Sequence, residues 1–165
     1  MKLCYVVKGV NMAVEYIIGH WTGGGSKPNS IDLNSYQLLI DTNGKLYNGK
    51  PQGKAASVGG MNSITCNISC CGGGTIKLTT VQCERFFKEC AVRLKQYGLT
   101  PDKFYTHHEI GEMCKDKSIT KLLPYNKYLE QNIGKIDLTV LPYDLKGKKS
   151  GDFIRNKILW YFQKI

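Results

Sequence analysis

No stretch of this chain approaches the ~20 consecutive apolar residues that a membrane-spanning helix needs, so insertion into a bilayer is not expected. The start, Met1-Lys2-Leu3-Cys4-Tyr5-Val6-Val7-Lys8, is interrupted by Lys8, and Asn11 and Glu15 follow. These interruptions come too early for the apolar centre of a secretory leader, and the expectation is synthesis in a cytoplasm without an export signal. Histidine is scarce: His20, His107 and His108 are all there are. Neither HExxH nor a paired CxxC occurs, so the familiar sequence signatures of zinc are missing. The triple glycine Gly72-Gly73-Gly74 lacks the Gly-Lys-Ser/Thr ending of a phosphate loop and reads as a turn. There are no internal repeats and no low-complexity tracts.

Acidic residues are also few, 13 against 23 lysines and arginines, for a formal net charge of +10. Such a surplus favours an anionic partner: nucleic acid, anionic lipid or the acidic polymers of a bacterial wall. The lysines are scattered and form no recognition motif, so nucleic acid is not the expected partner. With 165 residues, 42% hydrophobic and 22% charged, the composition is that of one globular domain spanning 1–165, expected as a monomer. The seven cysteines are odd in number. Cys83 and Cys90 fall on the apolar face of a helical pattern, and Cys66 and Cys70 alternate along a strand pattern. We read most of the cysteines as core thiols in a reducing cytoplasm.

Taken in order, Val14-Glu15-Tyr16-Ile17-Ile18-Gly19-His20 reads as a buried strand ending beside the flexible Trp21-Thr22-Gly23-Gly24-Gly25. Residues 26–34, with Pro28, read as loop. Tyr36 to Asp41 and Lys45 to Tyr47 flank Asn43-Gly44, a strong hairpin signal that puts Tyr36 at the outer end of a strand. Residues 50–62 read as loop and 63–70 as strand. A helix over about 80–97 carries Cys83, Phe86, Phe87, Cys90, Ala91, Leu94 and Tyr97 on one face. Thr79 with Gln82 supplies its capping box and Gly98 its stop. Lys103-Phe104-Tyr105-Thr106 is extended and leads into His107. Residues 112–133 read as a surface excursion, 135–141 as an extended segment closed by Pro142, and 151–163 as a final helix. This order predicts an α/β (α+β) domain with a central mixed sheet flanked by helices.

Two of the three histidines thus sit at ends of apolar strands. From the residues alone, each reads as a satisfied polar residue ahead of a ligand, and the pairing of two at strand ends weakens that reading without overturning it. Lys135 and Asp137 are expected on one face of a strand, with Ile136 turned into the core. The plain alternative is an exposed Lys-x-Asp surface pair.

Several segments together carry a resemblance. His20-Trp21-Thr22-Gly23 resembles the His-His-Thr-Gly opening of the zinc-dependent N-acetylmuramoyl-L-alanine amidases. Tyr36 to Tyr47 is similar to their Tyr-His-Phe-Leu-Ile-Asp-x-x-Gly-x-Ile-Tyr hairpin, and Asn62 to Ile68 to their Asn-x-x-Ser-Ile-Gly-Ile strand. Thr106-His107-His108-Glu109-Ile110 and Gly134-Lys135-Ile136-Asp137-Leu138-Thr139-Val140-Leu141-Pro142 resemble segments of phage-encoded members. The resemblance implies a Zn2+ held by His20, His107 and Asp137, with Tyr36 and Lys135 as catalytic partners. It implies hydrolysis of the bond between N-acetylmuramic acid and L-alanine in bacterial peptidoglycan. A phage-type lysin made in the host cytoplasm and released onto the wall fits this reading. The alternative is a non-catalytic peptidoglycan-binding module on the same fold.

Three departures stand out. Gln37 replaces a histidine, Val58 stands in a segment where Ser-His-Ala-Gly is frequent, and the short His20–Tyr36 interval predicts that a helix often found there is missing. Cys114, seven residues after His107, is an alternative third ligand, but Glu112 stands where its lysine belongs. His108 is the alternative to His107; as neighbours on a strand, only one of the two could face the metal.

Overall fold

Parallel strands buried on both faces form the frame that carries the site. The structure is a computed structural model that describes residues 5–7 and 10–165, with side chains from residue 13 onward. Cys4 and Lys8 lie outside the described residues. Strands β1 (Tyr5–Val7) and β2 (Val10–Met12) form a small antiparallel pair with Val7 opposite Val10. The main sheet has five strands: β3 (Tyr16–Trp21), β4 (Leu38–Ile40), β5 (Leu46–Asn48), β6 (Thr65–Cys70) and β7 (Phe104–Thr106), in the order β5-β4-β6-β3-β7. β4, β6, β3 and β7 run parallel, and only β5 at one edge is antiparallel. The expected single α/β domain with a mixed, helix-flanked sheet is what forms.

Alternation along β3 and β6 divides two cores. Ile17 on β3 with Cys66, Ile68 and Cys70 on β6 face helix α2 (Thr80–Gln96), whose Phe86, Phe87, Cys90 and Leu94 are buried. Helix α4 (Ser150–Phe162) completes this layer with Ile154 and Ile158. The capping box expected at Thr79 and Gln82 is present. On the other face, Tyr16 and Ile18 pack with Val58, Met61, Ile110, Cys114, Ile119 and Leu129. The cysteines Cys66, Cys70, Cys71, Cys83, Cys90 and Cys114 are free and buried. Burial pushes the Cys66 thiol up to about 11 and Cys71 up to about 12, so both stay protonated. Among the described residues no helix is long and apolar enough to cross a membrane.

Four local expectations are corrected. A helix α1 (Ser30–Ser35) lies in the stretch read as loop, started by a capping box of Asn29 and Asp32; Tyr36 is its C-cap and not part of the hairpin strand. His107 does not extend β7 but opens helix α3 (His107–Lys115), because Thr106 and Glu109 form a capping box that turns the chain. Residues 112–133 are not a mere surface excursion: Cys114, Ile119, Leu129 and Asn132 are all buried. Residues 135–141 form no strand. There the anchor is Leu138, 1% exposed, while Ile136 is 61% exposed. Leu138 takes φ +63°, a left-handed conformation costing a leucine about 1–2 kcal/mol. Its burial, worth about 1.5–3 kcal/mol, offsets that. The room comes from Gly19, where an added Cβ would meet Leu138 Cδ1 at 3.0 Å.

Candidate metal centre

His20 is the fifth residue of β3 and shares its face with Tyr16 and Ile18, so the strand delivers it, 1% exposed, to the second core's end of the sheet. His107 is the first residue of α3, held by the cap and by Arg155 of α4. Arg155 donates to both oxygens of Glu109, at 2.9 and 2.6 Å, and to Phe104 O at 3.0 Å, tying the start of α3 to α4 and β7. Asp137 precedes the buried Leu138 and accepts from the Trp21 backbone N–H at 3.3 Å. Three distant segments therefore meet.

Asp137 Oδ2 lies 3.5 Å from His20 Nδ1, and Asp137 Oδ1 lies 3.7 Å from His107 Nδ1. One ligand atom from each residue lies within 4.8 Å of the others. The imidazole centroids are 4.8 Å apart at 70°. A tetrahedron with metal–nitrogen bonds of about 2.0–2.1 Å has edges of roughly 3.4 Å, so the carboxylate edges already fit within a few tenths of an ångström. Both outer ring nitrogens are occupied: His20 Nε2 faces Asn67 Oδ1 at 2.9 Å and His107 Nε2 faces Asn132 Oδ1 at 2.8 Å. His20 Nδ1 is buried and has no hydrogen-bond partner. Two inward nitrogens and a carboxylate converging in a buried space repel one another unless a proton or a metal cation lies between them. That is the donor set and geometry of a metal site.

The electrostatics agree. Burial pushes the His20 imidazole below its ordinary 6.5, against the raising influence of Asp137, and favours the neutral, ligating form. Burial alone would raise the Asp137 carboxyl, but the close approach of the His107 and His20 rings holds it well below the usual carboxylate range. Among the described residues, no other group of three such side chains comes together. Cys114 is in the apolar core instead, its thiol raised by burial. His108 turns away from Asp137, with Nδ1 against Lys135 O at 2.7 Å. It is excluded by its place in a helix and not by strand alternation.

Tyr36 and Lys135 reach the same groove. A cavity of about 240 Å³ is lined by Trp21, Tyr36, Ser57, His107, Lys135 and Asp137 among others. The Tyr36 and His20 rings are 5.0 Å apart. Burial, with the charge of Asp137, pushes the phenol up to about 12, while a hydrogen bond with Ser69 works the other way. Lys135 is exposed, its backbone N–H donating to Asn132 O at 3.3 Å. Lys135 and Asp137 thus share the groove through a turn and not through strand periodicity. Gln37 is outside the groove: its side-chain oxygen accepts from the Asn67 backbone N–H at 2.7 Å. Val58 is fully buried in the second core.

Residue-by-residue reading of the sequence missed Asn67 and Asn132. Their signal was faint: Thr65, Asn67 and Ser69 alternate as polar residues on a strand that turns out to be fully buried.

The chain has recognisable relatives. The sequence model for N-acetylmuramoyl-L-alanine amidase matches residues 10–119, which include His20 and His107 and stop short of Asp137. No curated protein matches. Among solved structures, the Staphylococcus aureus hydrolase AmiA in complex with its ligand superposes with a TM-score of 0.57 at 16% identity, over 92% of this chain and 75% of that one. The N-acetylmuramoyl-L-alanine amidase LysC from Clostridium intestinale URNW gives 0.52 at 15% identity, over 67% of this chain and 86% of that one. The endolysin amidase LysCS from the same organism gives 0.51 at 15%, over 67% and 84%. At these identities the structural likeness speaks for the fold. The sequence match covers well over half of the chain, and on that ground the chain belongs to the N-acetylmuramoyl-L-alanine amidase family.

Proposed function

We propose that this protein is a zinc-dependent amidase that cleaves between N-acetylmuramic acid and L-alanine in bacterial peptidoglycan. The observation that carries the reading is the buried meeting of His20 Nδ1, His107 Nδ1 and the Asp137 carboxylate. A zinc ion held by these three would polarise the scissile carbonyl and make water nucleophilic at neutral pH. The chain's own residues do the rest. Lys135, on the exposed rim of the groove, places an ammonium where negative charge develops on the carbonyl oxygen. Tyr36, whose phenol stays protonated through neutral pH, donates a hydrogen bond to the same oxygen and is not a general base. Asp137, held ionised, supplies the anionic ligand and keeps both imidazoles turned inward.

We further assign the protein a lytic role as a phage-type endolysin acting as a monomer, made in the host cytoplasm and released onto the wall. The Gly134–Pro142 resemblance to phage-encoded members supports this, and the +10 charge draws the chain to an anionic wall. Mass spectrometry of digests of purified peptidoglycan tests the chemistry. The expected products are peptides with a new L-alanine amino terminus beside peptide-free glycan, formed only without chelator. Cleavage that yields no such amino terminus, or that persists in chelator, contradicts the assignment.

A further inference from the structure

Both ligand histidines are backed by an asparagine whose amide is itself oriented. Asn132 Nδ2 donates to Gly59 O at 2.9 Å and to Leu129 O at 3.0 Å. Those carbonyls take its N–H bonds, so the atom 2.8 Å from His107 Nε2 is the amide oxygen. An amide oxygen only accepts, so Nε2 carries a ring proton, and in the neutral ring that leaves Nδ1 bare. The same logic runs one step further out at Asn67. Thr65 Oγ1 donates to Met61 O at 2.9 Å, which leaves its lone pairs to accept from Asn67 Nδ2 at 3.2 Å. Asn67 Oδ1 then faces His20 Nε2 at 2.9 Å. The Asn132 amide cannot flip without setting its oxygen against two carbonyl oxygens, and a flip of Asn67 would cost the Thr65–Met61 hydrogen bond.

We propose that Asn67 and Asn132 are positioning residues that fix His20 and His107 in the Nε2–H form and aim two bare Nδ1 atoms at one cation beside Asp137. The inference rests on the metal reading above. Asn132 does more than orient a ring. Its backbone oxygen accepts from Lys135 N at 3.3 Å, and its side chain holds Gly59. One buried residue therefore joins α3, the 50–62 loop and the segment that carries Lys135 and Asp137. Gly111 lets α3 approach it, since an added Cβ there would lie 2.3 Å from Asn132 O.

Nitrogen-15 NMR of the metal-free protein reads ring protonation directly. At a pH where the rings are neutral, both His20 and His107 are expected to carry the single ring proton on Nε2, and a neutral ring with its proton on Nδ1 overturns the inference. Zinc affinity is then measured by competition with a chromogenic chelator in Asn67→Leu, Asn132→Leu and Asn67→Asp. The leucine variants are expected to bind about 10–100-fold more weakly, the usual cost of losing such an outer partner. Asn67→Asp keeps an acceptor against His20, and the Thr65 hydroxyl can turn to donate to it, so it is expected to bind as tightly as the parent or tighter. Parent-like affinity in both leucine variants, or an equal loss in Asn67→Asp and Asn67→Leu, overturns the positioning role. If the leucine variants fail to fold, the parent's ring protonation and Asn67→Asp still decide. A parent that binds no zinc overturns the metal reading itself. A parent that binds zinc yet, when metal-free, shows either neutral ring with its proton on Nδ1 overturns this inference alone.

Discussion

Replacing Asp137 with asparagine removes the cluster's anionic ligand while keeping its shape, and separates the metal's contribution from that of the fold. In the metal-free protein Asp137 is 7% exposed, and its carboxylate accepts from Trp21 N–H and stands 3.5 and 3.7 Å from two inward ring nitrogens. Asparagine offers an N–H to one of those nitrogens and carries no charge to desolvate, so the metal-free melting temperature is expected to hold or rise. With zinc the outcome reverses. Structural zinc sites are worth roughly 10–16 kcal/mol, or roughly 2.5–4 kcal/mol for each of four ligands, so losing one weakens binding roughly 100- to 1,000-fold. At zinc about 1,000-fold above the parent's Kd, linkage stabilises the parent by about 4.1 kcal/mol and the variant by about 0.4–1.4 kcal/mol. For a domain of this size that is a rise of roughly 8–16 °C in the parent against roughly 1–6 °C in Asp137→Asn. Scanning calorimetry with and without zinc reads both. An equal zinc-induced rise in the two proteins refutes the reasoning.

Leu138→Ala is expected to destabilise the fold by about 2–5 kcal/mol and Ile136→Ala by no more than about 0.5 kcal/mol in urea unfolding; the reverse order would restore the strand register that the structure replaces. Lys135→Met and Tyr36→Phe are each expected to lower kcat about 100- to 1,000-fold with zinc affinity unchanged; retained turnover would remove them from the chemistry. Because burial sets the His20 imidazole below its ordinary 6.5, its contribution to stability is complete above about pH 6.5 and is lost as pH falls through the lower folded value. Melting temperature of the metal-free protein is therefore expected to drop on acidification below pH 6.5, and zinc affinity with it. A pH-independent affinity across that window contradicts the ligand assignment.

The elements legible in the sequence are those whose packing leaves a period. Helix α2 announces itself through Cys83, Phe86, Phe87, Cys90 and Leu94, and the Asn43-Gly44 turn marks the hairpin of β4 and β5. Helix α1 buries no residue, so no apolar stripe could show it; its capping box of Asn29 and Asp32 was the available sign. Thr106 and Glu109 likewise offered a helix start that the extended look of Phe104-Tyr105 concealed. The segment Ile136-Asp137-Leu138-Thr139-Val140 alternates like a strand but turns on Leu138's left-handed φ, which no periodicity foretells. His20, His107 and Asp137 became candidate ligands because the resemblance tied together three distant motifs. The asparagines behind them did not, since their importance is a matter of which atom faces which ring. That depends on the carbonyl of Gly59, far from Asn132 in the chain, and on the nearby carbonyls of Met61 and Leu129.

The central claim is that three side chains spread over more than a hundred positions of sequence hold a single ion. Anomalous diffraction at the zinc edge from crystals grown with stoichiometric zinc tests it most directly. The account predicts one strong peak about 2.0–2.2 Å from His20 Nδ1, His107 Nδ1 and an Asp137 oxygen. A peak on Cys114 or His108, or a site that leaves Asp137 outside the coordination sphere, would contradict it.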